Sequence, residues 1–417
     1  MKKKKRSFKY KNIFIVLFIC ALIAFGVIAF IPKKSQANKM IDLSNMNVEQ
    51  IKEYAKEKGL KLTIKEKHHK EIAKGKIISQ NIKKGVEIKK DDELIVIISL
   101  GKVDKNLYKK YKVDELGNVP IMMYHGIHNL KNDDTAYIGG NVDKSGYQRT
   151  AEAFRKDLEF YYQNNYQMIR LIDYVNGIID VELGKSPIIL TFDDGLKNNI
   201  LVTGLDEEGN IIIDPNSAVG ILESFKKKYP DFNVTATFFL NGELFGQPEY
   251  NEKIIKWLIN NGYDIGNHSF SHSDFTTISS EKVEEEIGKL YNKLDKIIPD
   301  KYVNVVALPF GSPYNMDHPN FAHILKSTYN GVTYETISTL RVGWKSELSP
   351  FNKDFNPLFL KRIRAYDNLG EDFDIEYNFK LLEKTRYISD GDKDTIVIPK
   401  EKADSVYQDT QLEIIEY

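Results

Sequence analysis

Two short stretches of this 417-residue chain carry side chains that can hold a metal ion and activate water. The first, Asp193-Asp194-Gly195, ends the apolar run Pro187–Phe192. Two adjacent carboxylates can divide the work: one ligates a cation while the other takes a proton from a water molecule beside it. Taken alone, Asp-Gly reads more simply as the turn that stops a strand. The second is Ile265-Gly266-Asn267-His268-Ser269-Phe270-Ser271-His272, where two of the eight histidines stand four apart behind another apolar run. On one helical turn that spacing places both imidazoles on one face, close enough to share an ion. His pairs at this spacing also arise by chance, so the weight lies in the combination. One carboxylate and two imidazoles suit zinc and leave positions open for water and substrate.

The elements that must position these residues alternate. Apolar runs at Val119–Tyr124, Ile188–Thr191, Thr235–Leu240, Tyr263–Ile265, Val303–Leu308, Phe359–Ile363 and Thr395–Ile398 read as strands. Helical patterns lie between them at Ala151–Asn164, Leu171–Ile179, Ala218–Lys228, Glu252–Asn261, Glu281–Ile298 and Phe321–Tyr329. Strand–helix alternation predicts a parallel sheet or an α/β barrel, with chemistry gathered at the C-terminal ends of the strands.

The set Thr191-Phe192-Asp193-Asp194-Gly195, Ala236-Thr237-Phe238-Phe239 and His268-Ser269-Phe270-Ser271-His272, opened by Val119-Pro120-Ile121-Met122-Met123-Tyr124-His125-Gly126, resembles the NodB-homology polysaccharide deacetylases, or carbohydrate esterase family four. The resemblance covers about two thirds of the chain. It implies a distorted (β/α) barrel over 117–400, with Asp193 as base and Asp194, His268 and His272 as ligands of a divalent metal, zinc first. It also places Tyr124, Pro309 and Arg364 on the substrate side. Two family features are missing. The third motif ordinarily carries an Arg before Pro-Tyr-Gly; here Ala307-Leu308-Pro309-Phe310-Gly311 keeps the turn, whose Phe310 N–H can still face an oxyanion, but has no Arg. Arg362 or Arg364 could replace it, or both could be ordinary structural arginines. The Leu-x-His that supplies a general acid is absent, and His125 is the candidate in its place, against a purely structural role. Asp390, Asp392 and Asp394 have the spacing of a calcium loop, but Thr395 stands where glycine is required.

The hairpin expected at Ile200–Leu205 and Ile211–Ile213 follows the aspartates and reads either as a wall of the cleft or as distal decoration.

The rest of the chain reads as an address and a spacer. Residues 1–12 are basic, and 13–31 form an apolar run long enough to span a bilayer, with the basic flank on the cytoplasmic side. A signal-anchor that leaves the catalytic part outside is the first expectation; cleavage after Ser35-Gln36-Ala37, with secretion, is the alternative. Residues 39–101 combine an Asn47/Gln50 capping box, a Gly59 stop and strands at Leu60–Ile64, Ile77–Ile82 and Leu94–Leu100. They resemble a PASTA domain, which implies a module facing the cell wall. Residues 102–116 read as a charged, solvated linker with room for a short helix, and 401–417 as a tail. The single cysteine, Cys20, excludes an intramolecular disulfide. With 59 basic and 59 acidic residues the net charge is zero, which offers no support for nucleic-acid binding. Together these features point to metal-dependent removal of N-acetyl groups from an envelope polymer, peptidoglycan or poly-N-acetylglucosamine. A silent glycan-binding protein of the same fold and an O-acetyl esterase are the rivals.

Overall fold

The structure is a computed structural model that describes residues 39–69 and 71–417. The basic segment 1–12 and the predicted span 13–31 lie outside them. Among the described residues no helix is long and apolar enough to cross a membrane. The chain divides into two units, the second beginning at Asp104.

In the first unit, helix Val48–Lys58 opens on the predicted capping box, with Asn47 and Gln50 each accepting the other's backbone N–H. It closes on Gly59 in the left-handed conformation. Its Ile51 and Ala55 pack with Leu43, Leu94 and Val96. Strand Glu93–Ser99 is the middle of three, parallel to Lys61–Lys67 and antiparallel to Ile77–Gln80.

The second unit is built on strands β1 (Ile121–Tyr124), β2 (Tyr166–Met168), β3 (Ser186–Phe192), β4 (Thr237–Leu240), β5 (Asp264–Asn267), β6 (Val305–Ala307), β7 (Ser338–Leu340) and β8 (Ile363–Arg364). They lie in the order β7-β6-β5-β4-β3-β1-β8, with β2 beside the first half of β3, and every pairing is parallel. Helices Ala151–Gln163, Ala218–Lys228, Asn251–Asn260 and Ser280–Asp295 cover one face, burying Phe154, Leu222, Leu258 and Leu290 against Leu190, Phe192, Phe238 and Ile265. The other face turns inward and holds Ile121, Ile189, Phe239, Val305 and Leu340. The sheet curls until its two end strands meet through the residues before β8. Arg341 N–H donates to Leu360 O (2.9 Å) and Lys345 N–H to Arg362 O (3.2 Å). Gly343 permits that closure, because a Cβ there would lie 1.6 Å from the Arg362 oxygen. The result is a distorted parallel barrel.

Four expectations are corrected. Residues 104–116 do hold a short helix, Lys105–Tyr111, but are no solvated linker: they belong to the second unit and bury Tyr108, Val113 and Leu116. The predicted helix Phe321–Tyr329 is helix only at Pro319–Leu325, and Lys326–Tyr329 is a strand paired with Val332–Glu335. Asn330-Gly331, both at positive φ, make the tight two-residue turn that this dipeptide favours. Most of the predicted strand Phe359–Ile363 is irregular, its N–H and C=O groups serving the barrel closure. Thr395–Ile398 is a strand, but it pairs with Glu413–Glu416 outside the barrel, so 401–417 is integrated rather than a free tail.

Candidate active site

Strand alternation decides what faces the barrel axis. Tyr124, Phe192 and Phe238 are register partners on β1, β3 and β4 and stack outward, with ring centroids 5.3 and 4.9 Å apart. The next residues of β1 and β3, His125 and Asp193, therefore turn inward at the strand ends. There they meet Asp194, His268, His272 and Phe310 in one cleft of about 300 Å³. Asp194 stands at φ 72°, and Gly195 after it has no room for a Cβ, which would fall 2.2 Å from Leu244 O.

The two histidines are brought together by a loop, not by the helical turn that their spacing suggested. Ser269 and His272 have positive φ, and helix Ser280–Asp295 pins the segment: Phe270 N–H donates to Glu286 O and Ser271 N–H to Glu286 Oε2. His268 Nδ1 lies 2.8 Å from Ala307 O, which assigns the proton to Nδ1 and aims the bare Nε2 at the cleft. That Nε2 is buried with no hydrogen-bond partner. It lies 3.3 Å from Asp194 Oδ1, and His272 Nε2 lies 3.4 Å from the same oxygen. Ligands about 2.0–2.1 Å from a tetrahedral ion stand about 3.3 Å apart. The three residues thus form a possible metal site, with both imidazole–carboxylate separations matching those of ligands around one ion.

Asp193 is buried beside them and held by both arms of Arg362, Nη1 to Oδ1 and Nη2 to Oδ2, each at 2.7 Å. Arg362 is itself fixed by Nε donating to Arg341 O (2.8 Å) and Nη1 to Thr191 Oγ1 (3.2 Å). Burial works to raise the Asp193 carboxyl, but Arg362 and His268 outweigh it and hold the group well below the usual carboxylate range. Asp194 is half-buried, which works to raise it, yet His268 lowers it. Burial opposes a charge on His268, but Asp193 and Asp194 raise it nonetheless. His272 is lowered by burial and then by His268. His125 is lowered by burial. In the Pro309–Gly311 turn, Gly311 and Ser312 N–H groups bond back to Leu308 and Pro309, while the Phe310 N–H has no acceptor among the described residues.

Of the residues expected on the substrate side, none lines the cleft. Tyr124 points outward, its hydroxyl bonded to Asp157 and Tyr161 in the core (3.0 and 2.8 Å). Pro309 is buried beneath the Phe310 turn. Arg364 stacks on Tyr366 and on Tyr147 (3.9 and 5.0 Å to the ring centroids), backing the cleft instead of entering it. The inserted hairpin, Val202–Leu205 with Ile211–Ile213, contributes no lining residue, and Lys253 of helix Asn251–Asn260 holds its tip through Gly209 O. Tyr147, Gln148 and Val342 do line the cleft. They sit in loops without periodicity or motif, so nothing in the sequence marks them.

Parts of the chain are similar to known proteins. Residues 180–329 match the family model described as polysaccharide deacetylase, and residues 38–100 that of the PASTA domain. His125 and Arg362 lie outside the matched stretch. The peptidoglycan-N-acetylmuramic acid deacetylase PdaA of Bacillus subtilis is 29% identical over 182 residues, 43% of this chain and 57% of that protein. The peptidoglycan-N-acetylglucosamine deacetylase of Bacillus cereus is 30% identical over 113 residues, 27% of this chain and 32% of that one. The chain thus spans less than two thirds of the length of these relatives. The solved structure of the Streptococcus pyogenes deacetylase PplD in complex with acetate aligns at 19% identity over 61% of this chain and 95% of that one, with a TM-score of 0.43. Residues 180–329 belong to the polysaccharide deacetylase family, and residues 38–100 are a PASTA domain.

Proposed function

We propose that this protein hydrolyses N-acetyl groups from an amino-sugar polymer of the bacterial envelope, peptidoglycan first and poly-N-acetylglucosamine second. The observation that carries the reading is Asp193, fork-bound by Arg362, set in the same cleft as Asp194, His268 and His272. Asp194, His268 and His272 would hold a divalent ion, zinc by its donor set, and such an ion polarises water and carbonyl oxygen alike. Asp193 takes the proton of the attacking water, and Arg362 keeps its carboxylate charged and correctly turned. The free Phe310 N–H faces the oxyanion as the acetyl carbon becomes tetrahedral. The leaving amine needs a proton. His125, whose charged form desolvation disfavours, passes on the one that Asp193 has taken. Acetate and a free amine result. The relatives named for peptidoglycan deacetylation favour that polymer, as do the PASTA domain and the apolar run 13–31, which would tether the catalytic unit outside the cell membrane.

The test is acetate release from purified peptidoglycan by residues 38–417, with zinc or with a chelator, beside Asp193→Asn. Zinc-dependent release that disappears in the variant supports the assignment of reaction and base together. A folded, zinc-loaded protein that releases nothing from peptidoglycan or from poly-N-acetylglucosamine would sink the hydrolase reading.

A further inference from the structure

Between His268 and His272 the chain runs as an irregular loop, with Ser269 at φ 61° and His272 at φ 54°. Each of these left-handed residues costs about 1–2 kcal/mol outside glycine, so the loop keeps its shape only if its surroundings hold it. Three N–H groups lie between the two histidines, and two residues take all of them. Ser269 N–H donates to Asn267 Oδ1 (2.9 Å), Phe270 N–H to Glu286 O (3.0 Å) and Ser271 N–H to Glu286 Oε2 (2.6 Å). Asn267 is anchored in turn, its Nδ2 donating to Ile287 O (3.0 Å). The loop therefore hangs on one turn of helix Ser280–Asp295, through two side chains that are fully buried.

A carboxyl group is costly in this place. Its helix neighbours Val283, Ile287 and Leu290 are core residues, and a buried carboxyl destabilises unless ions or hydrogen bonds satisfy it. Glu286 is poorly served. Lys282 Nζ stands 3.4 Å from Oε1, is 42% exposed and sits closer to Glu285, at 2.9 Å. Oε1 has no hydrogen-bond partner among the described residues. A leucine of similar volume would suit the surrounding core at less cost. What the carboxyl supplies is an acceptor for the residue immediately before His272. His268 needs no such support, because it follows β5 directly and its Nδ1 is held by Ala307 O (2.8 Å). His272, a third exposed, takes its place from the loop.

We propose that Glu286 is a positioning residue for the metal site: by holding the Ser271 N–H it fixes where the His272 imidazole stands, and so sets the affinity for the divalent ion. This rests on the reading of Asp194, His268 and His272 as ligands, and not on turnover. The test is zinc binding by the metal-free full chain, followed by calorimetry, with thermal unfolding of the metal-free protein in parallel. Glu286→Leu removes the acceptor and should weaken zinc about 10–100-fold, whether the unfolding temperature of the metal-free protein falls or rises. Glu286→Met takes its place should that variant not fold. Glu286→Gln keeps a carbonyl acceptor and should bind zinc nearly as the parent does. Leu222→Ala, in the core on helix Ala218–Lys228, should lower the unfolding temperature and leave zinc affinity unchanged. In a His272→Ala background there is no ring left to position, so Glu286→Leu should cost no further affinity. The inference is overturned if Glu286→Leu binds zinc as tightly as its parent, if Glu286→Gln loses as much as Glu286→Leu, or if the losses of Glu286→Leu and His272→Ala multiply. A parent chain that takes up no zinc would instead remove the ligand reading, and the inference with it.

Discussion

Arg362→Met deletes the guanidinium while keeping a stem of similar length, and it leaves Asp193 charged in a site where neither residue is more than 1% exposed. Two charge-assisted bonds of 2.7 Å are lost. At about 1.5–3 kcal/mol each, they agree with the roughly 3–5 kcal/mol that removing one partner of a buried pair costs. If about 2.7 kcal/mol of this falls on the transition state, acetate release slows about 100-fold. Arg362→Lys keeps a charge but cannot fork, and should lie between the two proteins. The sharper expectation comes from the double variant. Arg362 makes its fork only to Asp193, so once Asp193→Asn has removed the base, Arg362→Met should cost nothing further. The assay is zinc-dependent acetate release from peptidoglycan by the four proteins of the cycle, with thermal unfolding to verify that each is folded. Losses that multiply, so that the double variant is slower than Asp193→Asn by the full factor of about 100, would refute the argument that Arg362 acts through Asp193.

Three further outcomes are expected. Zinc at about a hundredfold excess over its Kd should stabilise the protein by about 2.7 kcal/mol, visible as a higher Tm, and His268→Ala should abolish the rise. Arg149 pairs in the interior with Asp157 (2.6 Å) and also reaches Asp367 (3.2 Å); Arg149→Ala should lower the unfolding free energy by about 3–5 kcal/mol in urea titrations. Glu115 is pushed well above its ordinary value near 4.5 by burial and then by Asp390. From about pH 4.5 upward the unfolded chain has released a proton that the folded protein still holds, so unfolding free energy falls as pH rises toward the raised value. Glu115→Gln should flatten that part of the Tm–pH curve; an unchanged slope would remove Glu115 as its source.

What the sequence made legible was local. The Asn47/Gln50 box, the aspartates behind an apolar strand, and the His268/His272 pair each announce themselves within a few residues; the box forms as read, while the histidines come together on a loop with positive φ at Ser269 and His272 instead of on a helical turn. Arg362 does not announce itself, because it lies 169 positions from Asp193, and only the closing of the barrel shows which of Arg362 and Arg364 arrives. Tyr124 was misplaced by one residue. Alternation along β1 and β3 makes His125, not Tyr124, the neighbour of Asp193 on the inner face, a parity argument available from sequence once Phe192 is recognised as outward. The strand at Lys326–Tyr329 was lost because the apolar pattern of Phe321–Leu325 was carried on past Leu325 as helix, although Asn330-Gly331 already marked the hairpin. Tyr147, Gln148 and Val342 had no signal at all, since loops at strand ends carry function without periodicity.

Gly343 lets the segment after β7 rest on the carbonyl of Arg362, and this joins the two ends of the sheet at the residue that holds the base. Within the sheet that residue precedes β8, which lies beside β1 and so two places from the third strand. In a ring every strand end looks at the same axis, so a guanidinium needed at one point can be delivered from any of several places in the chain. The role is tied to a location in space, and its address along the sequence is free to migrate. An inventory of linear motifs would therefore count this chain as lacking an arginine that its fold supplies from two strands away.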